Sequence, residues 1–367
     1  MIFLWGNVML CKFENCNNDS FKNSDYCILH LTLPNEKSLD FQEINELKNQ
    51  ELLKKKENGD FNFKGVRLFN IDFSREKFED DLIFTGAIIK NDVLLQDTTI
   101  EGDVWFDNAD VGGDVLLEGS NICGNASFYS ARIGGHVIFD KTHVNRYAWF
   151  EKAYVGGEAS FNKTEIGSSL SFKEAQIEGN TSFYDAKIAG DAWFDKADVK
   201  GDVFFDFVEV KGGLNFKNTK FKTNKSQEKA CRKAKIVWEK IGNRTKADYY
   251  FYREMESKRK QKSSLHKYVE LIVQYPFGYG VYPIRLLLSF FIVLLTFAFI
   301  YWILEGAFTP DAFTEKLRFS FLTMIIPAYG VIFSETGFQG VLNIVEACIG
   351  AFVWPTLMVT FARKYMR

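Results

Sequence analysis

Four residues near the N-terminus have the side chains and the spacing that a bound metal ion requires. They are arranged as Cys11-x4-Cys16-x10-Cys27-x2-His30. Three thiolates and one imidazole suit tetrahedral Zn²⁺, and four protein ligands leave no open coordination position for catalysis. Because so short a segment has no core of its own, metal binding would supply much of its folding free energy. The sequence therefore predicts a structural zinc site, with chance clustering of free thiols as the alternative.

A second chemically informative residue, Glu346, lies inside an apolar stretch near the C-terminus. Two stretches, 286–304 and 340–361, are apolar, and Glu346 is the one Asp, Glu, Lys or Arg residue inside either of them. Each has about the 20 residues that a helix needs to cross a bilayer. A carboxylate at membrane depth usually faces protein or water, and it marks a pathway or an internal hydrogen bond. The sequence predicts two membrane spans, with buried helices of a soluble domain as the alternative.

No residue set in the chain indicates catalysis. The four histidines form no base–nucleophile pair, and the sequence contains no phosphate-binding loop or dinucleotide fingerprint. The six cysteines do not form a disulfide framework, which favours a reducing cytosol for the N-terminal part. Acidic residues outnumber basic ones between 78 and 221, and we interpret them as solvated faces. We expect the protein not to be an enzyme and to have no nucleic-acid partner.

An eleven-residue repeat dominates the middle of the chain. From Phe78 onward an apolar residue returns every eleven positions: Ile89, Ile100, Val111, Ile122, Ile133, Val144, Val155, Ile166, Ile177, Ile188, Val199, Val210 and Phe221. Six residues into most units there is a phenylalanine: Phe84, Phe106, Phe128, Phe139, Phe150, Phe161, Phe172, Phe183, Phe194, Phe205 and Phe216. Units this narrow bury apolar side chains only when stacked, which is typical of solenoid proteins.

The order of residue types within the unit favours strands over helices. Each unit reads small-x-large-x-Gly-x-small-x-large-x-x, and a spacing of two places both members of a pair on one face of an extended segment. Gly, Asn and Asp between the pairs tolerate positive φ and predict turns. An eleven-residue helical repeat is the alternative, and the recurring Gly, Val, Ile and Phe argue against it.

The start of the repeat has a spacing of five, at Phe63, Leu68, Phe73 and Phe78. In this spacing the sequence resembles the pentapeptide-repeat family, over about 62–221. The resemblance implies a right-handed, four-sided β-helix. Each eleven-residue unit would then be one pentapeptide plus one hexapeptide, with two units in a coil and seven or eight coils in all.

A basic helical segment follows the repeat. Apolar residues recur at spacings of three and four at Ala230, Ala234, Val237, Trp238 and Ile241, which indicates an amphipathic helix. Basic residues collect before the first apolar stretch, where anionic lipid headgroups would lie, and others follow the second stretch. By the positive-inside tendency, this distribution predicts a two-pass protein of the cell membrane with both termini in the cytoplasm.

Between the two apolar stretches, the segment Phe313–Met324 is amphipathic and predicts a short helix that dips into the membrane. Irregular backbone at that depth is tolerated only where it is buried in protein or lines water. Ser320-x-x-Thr323 followed by Tyr329-Gly330 resembles the pore helix and filter of the two-transmembrane ion-channel family. The segment from Arg232 to Val281 also resembles the linker of pentapeptide-repeat proteins that end in such a channel.

The channel resemblance implies roles for individual residues. The pore loop would contain Thr323, Ile325, Ile326, Pro327, Ala328, Tyr329 and Gly330. Ser320 and Glu346 would support the pore helix, although direct ion contact by Glu346 is an alternative. Gly350 and Pro355 are candidate gating hinges, with a passive kink as the other interpretation of Pro355. The filter departs from Thr-Val-Gly-Tyr-Gly, so we expect a weakly selective or non-potassium cation pore.

Together these patterns predict a multi-domain membrane protein. Its parts are a zinc-binding cap at 1–35, a helical connector at 36–60, a β-solenoid at 61–221, a basic amphipathic helical linker at 222–280 and a two-transmembrane pore-loop domain at 281–367. The predicted function is a homo-oligomeric ion channel, a tetramer by preference, which conducts cations and is gated or assembled through its solenoid. A non-conducting membrane anchor that presents a β-helical binding scaffold is the alternative.

Overall fold

The computed structural model describes residues 9–14, 16–22, 24–35, 37–38, 40–306, 308–332 and 337–365. The chain divides into two compact units, Met1–Tyr250 and Phe251–Arg367. The first contains a short N-terminal segment, helix α1 (Phe41–Glu57), a long β-solenoid and helix α2 (Asn224–Ile241). Helix α3 (Arg244–Lys260) begins in the first unit and ends in the second.

The solenoid is built from two-residue strands. They are β1 (Arg67–Leu68), β2 (Ile71–Asp72), β3 (Lys77–Phe78), β4 (Leu82–Ile83), β5 (Ile88–Ile89), β6 (Val93–Leu94), β7 (Thr99–Ile100), β8 (Val104–Trp105), β9 (Asp110–Val111), β10 (Val115–Leu116), β11 (Asn121–Ile122), β12 (Ala126–Ser127), β13 (Arg132–Ile133), β14 (Val137–Ile138), β15 (His143–Val144), β16 (Ala148–Trp149), β17 (Tyr154–Val155), β18 (Ala159–Ser160), β19 (Glu165–Ile166), β20 (Leu170–Ser171), β21 (Gln176–Ile177), β22 (Thr181–Ser182), β23 (Lys187–Ile188), β24 (Ala192–Trp193), β25 (Asp198–Val199), β26 (Val203–Phe204), β27 (Glu209–Val210), β28 (Leu214–Asn215) and β29 (Lys220–Phe221).

Four parallel sheets form the four sides of the solenoid. Each strand pairs with the strand four places later, so that Phe78 lies beside Ile100 and Val115 beside Val137. One coil is therefore 22 residues, as two eleven-residue units require. The solenoid has about seven turns. The predicted solenoid is thereby confirmed, whereas its right-handedness stays a prediction.

The repeated phenylalanines form two stacked columns inside the solenoid. Rings 22 residues apart lie nearly parallel, with centroids 4.8 Å apart for Phe128 and Phe150 and 5.1 Å apart for Phe139 and Phe161. These separations are close to the spacing of about 4.8 Å between paired strands. Offset stacking of this kind adds to the free energy gained by burying each ring. The column explains why the sequence repeats phenylalanine at this position of the unit.

The repeated glycines have a different role from the predicted one. Positive φ occurs two residues after the large side chain, at Asn108, Lys141 and similar positions, and not at Gly124 or Gly135. A Cβ atom on Gly124 would lie 2.7 Å from the carbonyl oxygen of Gly102 in the preceding coil. At Gly124 glycine therefore permits a close approach between neighbouring coils, and the interpretation of Gly124 and Gly135 as positive-φ turn residues was wrong.

The second unit is helical. It contains the rest of α3, then α4 (Ser264–Phe277), a short 3₁₀ turn (Gly278–Gly280), α5 (Pro283–Glu305), α6 (Pro310–Ile325), α7 (Pro327–Ile332) and α8 (Phe338–Tyr365). Among the described residues, α5 and α8 are long and apolar enough to cross a membrane. Helix α6 packs against both of them. This arrangement brings the polar residues of α6 and α8 into contact.

Candidate metal centre and buried polar network

The Cys3His cluster is assembled by two short turns. An antiparallel bridge between Leu10 and Asp19 closes a loop that contains Cys11 and Cys16. A tight turn after Cys27, in which the His30 amide donates to the Cys27 carbonyl at 3.1 Å, brings the imidazole back toward the thiols. Two segments separated in sequence thus place all four side chains at one point.

The separations of the four ligand atoms fit one tetrahedral metal ion. These atoms all lie within 4.8 Å of one another. The Sγ atoms of Cys16 and Cys27 are 3.8 Å apart, and His30 Nδ1 is 3.5 Å from Cys11 Sγ and 3.2 Å from Cys27 Sγ. Zn–S and Zn–N bonds of about 2.3 and 2.0 Å give tetrahedral edges of about 3.8 Å for S–S and 3.5 Å for S–N. The cluster can bind a metal, and it contains no disulfide.

The imidazole of His30 is oriented by the solenoid. Its Nε2 is 3.0 Å from the carbonyl oxygen of Lys64, so that Nε2–H donates there and Nδ1 is left as the ligand atom. Such an outer hydrogen bond fixes the tautomer and the direction of a metal-binding histidine. The ring also stacks on Phe13 at a centroid distance of 4.0 Å.

The cluster is largely buried, so several of its thiols could ionise together only beside a cation. Cys11, Cys27 and His30 are buried, and burial is the main cause that raises the pKa of the Cys16 thiol to about 12. A divalent ion is what stabilises several thiolates in such a place. Next to the cluster, the buried Lys48 ammonium donates to the carbonyls of Ile28 and Leu31 at 2.5 and 3.0 Å.

The cluster closes the first coil of the solenoid. The Arg67 amide at the start of β1 donates to the Leu29 carbonyl at 2.8 Å, which occupies an otherwise open strand edge. The ring of Phe13 lies where a Cβ atom on Gly65 would be. Solenoids need terminal segments that cover their exposed ends. The segment that carries the Cys3His cluster therefore serves as the N-terminal cap of the β-solenoid.

Helix α2 closes the other end of the solenoid. Its indole at Trp238 donates to the Leu214 carbonyl at 2.8 Å, and the Phe216 amide donates to the Tyr250 hydroxyl of α3 at 2.7 Å. Burial is the main cause that raises the pKa of Tyr250, so the hydroxyl stays neutral. Four residues of the predicted apolar face are therefore buried and unavailable to a lipid surface, namely Ala230, Ala234, Val237 and Trp238, whereas Ile241 is 44% exposed.

In the second unit, Glu346 joins three helices through hydrogen bonds. Its carboxylate accepts one from the Ser320 hydroxyl of α6 and one from the Tyr301 hydroxyl of α5, the latter at 2.8 Å. Ser320 also donates to the Leu294 carbonyl at 3.1 Å. All three polar side chains are fully buried. Tyr301 was missed by the sequence analysis, because nothing in its local pattern separates it from the other aromatic residues of the span.

The end of α6 lies beside the middle of both long helices. Ser320 contacts Leu294, which is the central residue of α5. A Cβ atom on Gly350, near the middle of α8, would lie 2.6 Å from the Cα atom of Met324. Gly350, a predicted hinge, thus allows α6 and α8 to pack closely. Helix α8 continues through the other hinge candidate, Pro355.

The predicted filter segment is largely helical. Helix α7 begins at Pro327 and includes Ala328, Tyr329 and Gly330, whereas a filter of carbonyl rings needs extended backbone. Proline favours the first position of a helix because its fixed φ is already helical, which explains the difference. Ile325 ends α6, and Ile326 is about half exposed.

Thr323 is placed differently from the rest of the predicted pore loop. It lies in α6 and is fully buried. Among the described residues its Oγ1 has no hydrogen-bond partner.

Comparison with known proteins bears on the solenoid alone. Residues 150–198 match the family model described as pentapeptide repeats (9 copies). No curated protein matches the chain. No solved structure matches it either. The matched residues lie inside the four-sided stack of 22-residue coils, so the chain contains pentapeptide repeats folded as a β-solenoid.

Proposed function

We propose that the protein is a homo-oligomeric membrane channel, a tetramer by preference, that conducts cations with weak selectivity. Helices α5 and α8 cross the cell membrane, and α6 with α7 forms a loop that enters the bilayer from one side and returns to it. The zinc-stabilised cap, the solenoid and both termini lie in the cytoplasm.

The observation that carries this proposal is the depth of α6. Its last two turns lie at the middle of the two candidate spans, through the contacts of Ser320 with Leu294 and of Met324 with Gly350. A helix that ends halfway across a bilayer leaves carbonyl groups without partners in the same helix. Such groups are tolerated only where protein or water surrounds them.

The chemistry of this helix end supports cations over anions. The C-terminal end of a helix carries partial negative charge, which attracts positive ions. The Thr323 hydroxyl in this turn is buried without a partner among the described residues. The carboxylate of Glu346 is occupied by Ser320 and Tyr301, which supports a bracing role over direct ion contact.

Cation flux in liposomes that contain the purified full-length protein tests the proposal. We expect protein-dependent flux of Na⁺ and K⁺, and its loss in Gly350→Leu, because a larger side chain would push α6 away from α8. Phe352→Leu is the matched control, since Phe352 is 73% exposed on the same helix and its substitution should preserve flux. Circular dichroism and mass photometry would show whether each variant stays folded and oligomeric. A folded oligomer without flux at any voltage, pH or divalent concentration would contradict conduction.

One observation favours the alternative, a non-conducting membrane anchor that presents the solenoid to a cytosolic partner. The segment that aligns with a filter forms helix α7, which gives no extended row of carbonyls. A protein that inserts into the membrane as a monomer and shows no flux would fit this function. The oligomeric state in lipid nanodiscs therefore separates the two candidates independently of the flux measurement.

A further inference from the structure

One side of the solenoid carries an evenly spaced row of tryptophans. In the sheet formed by β4, β8, β12, β16, β20, β24 and β28, the second residue of each strand points outward. Trp105, Trp149 and Trp193 occupy this position on every second coil, and Ser127 and Ser171 occupy the coils between them. We call this side the tryptophan face. The three indoles remain partly exposed.

The two serines show how the indoles lie on the face. Although both occupy outward positions, Ser127 is 2% exposed and Ser171 is fully buried. Neighbouring side chains therefore cover the serines and fill the floor between the tryptophans. The hydroxyl groups donate to Asp107 at 2.5 Å and to Glu151 at 2.7 Å, which holds these two carboxylates beside the row.

The spacing of the tryptophans matches one kind of peptide conformation. Strands of adjacent coils are about 4.8 Å apart, so tryptophans on alternate coils are about 9.6 Å apart. A polyproline II helix has three residues per turn and a rise of about 3.1 Å per residue, which gives about 9.3 Å per turn. Proline-rich segments of this conformation bind to surfaces lined with aromatic residues. One turn of such a peptide would meet one tryptophan.

The charges that flank the face favour a basic partner. Carboxylates lie on both sides of the row, immediately before the strands or two residues after the tryptophans: Asp81, Asp103, Asp191, Asp107, Glu151 and Asp195. Lys173 and Lys217 are the basic residues at the equivalent positions of this sheet. The face therefore has an excess of negative charge, which complements cationic side chains.

The protein itself provides an example of a cation on this face. The Lys173 ammonium lies over the Trp193 ring, 4.3 Å from its centroid. Cations bind tryptophan better than the other aromatic rings. We propose that the tryptophan face binds a proline-rich, basic segment of a partner protein in the polyproline II conformation, with its prolines and cations against the indoles. This role does not depend on whether the membrane helices conduct ions.

Fluorescence anisotropy with a labelled (Pro-Pro-Arg)n peptide of about 15 residues, or about five turns, tests the proposal on the full-length protein in nanodiscs. We expect saturable binding that weakens with salt. We also expect Trp149→Ala to weaken it at least about tenfold, because truncation of a central tryptophan removes a dominant contact. Phe207→Ala is the matched control, because Phe207 is 70% exposed but follows β26 in another sheet. The Phe207→Ala variant should bind the peptide with the same affinity as the unmodified protein.

Two further peptides separate the parts of the proposal. A (Pro-Pro-Glu)n peptide should not bind, because its charge is reversed, and a (Gly-Ser-Arg)n peptide should bind more weakly, because it is not preorganised. Equal affinity of Trp149→Ala and the unmodified protein for (Pro-Pro-Arg)n would overturn the proposal, as would tighter binding of a linear oligosaccharide. Hydrogen exchange of the coils around Trp149 verifies that the variant remains folded. If Trp149→Ala unfolds those coils, the affinity of Asp107→Asn for (Pro-Pro-Arg)n is measured instead. An affinity equal to that of the unmodified protein would overturn the proposal.

Discussion

In the solenoid, several buried threonine hydroxyls donate through a contact that recurs from coil to coil, whereas the buried carboxylate of the second unit belongs to a network that occurs once among the described residues. The Thr98, Thr142 and Thr164 hydroxyls each donate to a carbonyl 25 residues earlier, at 2.9, 2.6 and 2.6 Å. The network of the second unit has no such copies among the described residues; it joins Glu346 to Ser320 and Tyr301.

The two units should therefore differ in their sensitivity to substitution. In a stack of similar coils, stability is approximately a sum of local terms, so the loss of one repeated contact is absorbed locally. A contact that occurs once has no neighbour of the same kind. The same holds for the two ends of the solenoid, where the repeat stops and the Cys3His cluster and α2 take over. We therefore expect that the loss of a contact that occurs once lowers stability more than the loss of a repeated contact.

The largest effect is expected from the metal cluster. Cys27→Ser removes one of the four proposed ligands and should abolish stoichiometric zinc binding. The cap should then lose stability, because structural zinc binding in small peptides contributes about 10–16 kcal/mol at neutral pH. Elemental analysis and hydrogen exchange should show metal loss and loss of protection in residues 9–57, with central coils unchanged. Cys123→Ser is the control, since Cys123 lies on the solenoid away from the cluster. Full protection of the cap in metal-free Cys27→Ser would contradict a metal-dependent cap.

A smaller but still large effect is expected at the other end. Trp238→Ala should destabilise the last coil by about 3–5 kcal/mol, the usual cost of removing a buried large aromatic side chain. Hydrogen exchange of β26 and β28 measures this local opening. Ile236→Ala on the same helix removes a side chain that is 49% exposed, and its effect should stay within about 0.5 kcal/mol. Equal effects of the two substitutions would mean that α2 does not cap the stack.

The polar network of the second unit should give an intermediate effect. Glu346→Leu leaves the Tyr301 hydroxyl without its acceptor, whereas Ser320 still has the Leu294 carbonyl, and the expected cost is about 1–3 kcal/mol. Glu346→Gln keeps an acceptor oxygen and should cost less. Detergent unfolding of both variants, each combined with Tyr301→Phe, would measure the coupling energy. Additive effects of Glu346→Leu and Tyr301→Phe would show that the hydrogen bond contributes nothing measurable.

The smallest effect is expected from one repeated contact. Thr142→Val removes the hydrogen bond to the Leu117 carbonyl and should cost about 1 kcal/mol, confined to the adjacent coils. Thr142→Ser retains the hydroxyl and should be closer to the unmodified protein. Hydrogen exchange, measured coil by coil, compares the local stability of the two variants. If Thr142→Val loosened coils far from residue 142, the solenoid would be more cooperative than a sum of local terms.

Much of the first unit followed from local sequence, and the repeat shows why. The eleven-residue period is visible in residues such as Phe128, Phe139 and Phe150, because each coil makes the same contacts as the next. The four candidate ligands of the Cys3His cluster were also predicted from spacing and residue type, and they lie together in the structure. The Glu346–Tyr301 contact was not found, because its residues are 45 positions apart and occur once.

Periodicity, residue type and length are properties of short segments, so they were enough to predict the solenoid, the Cys3His cluster and the two long apolar helices. The atoms that approach each other between coils and between helices were known only from the three-dimensional structure. It showed that Gly124 is needed for close packing, that the apolar face of α2 covers the last coil, and that the segment beginning at Pro327 is helical. These features depend on contacts between residues far apart in the chain, which local patterns do not record.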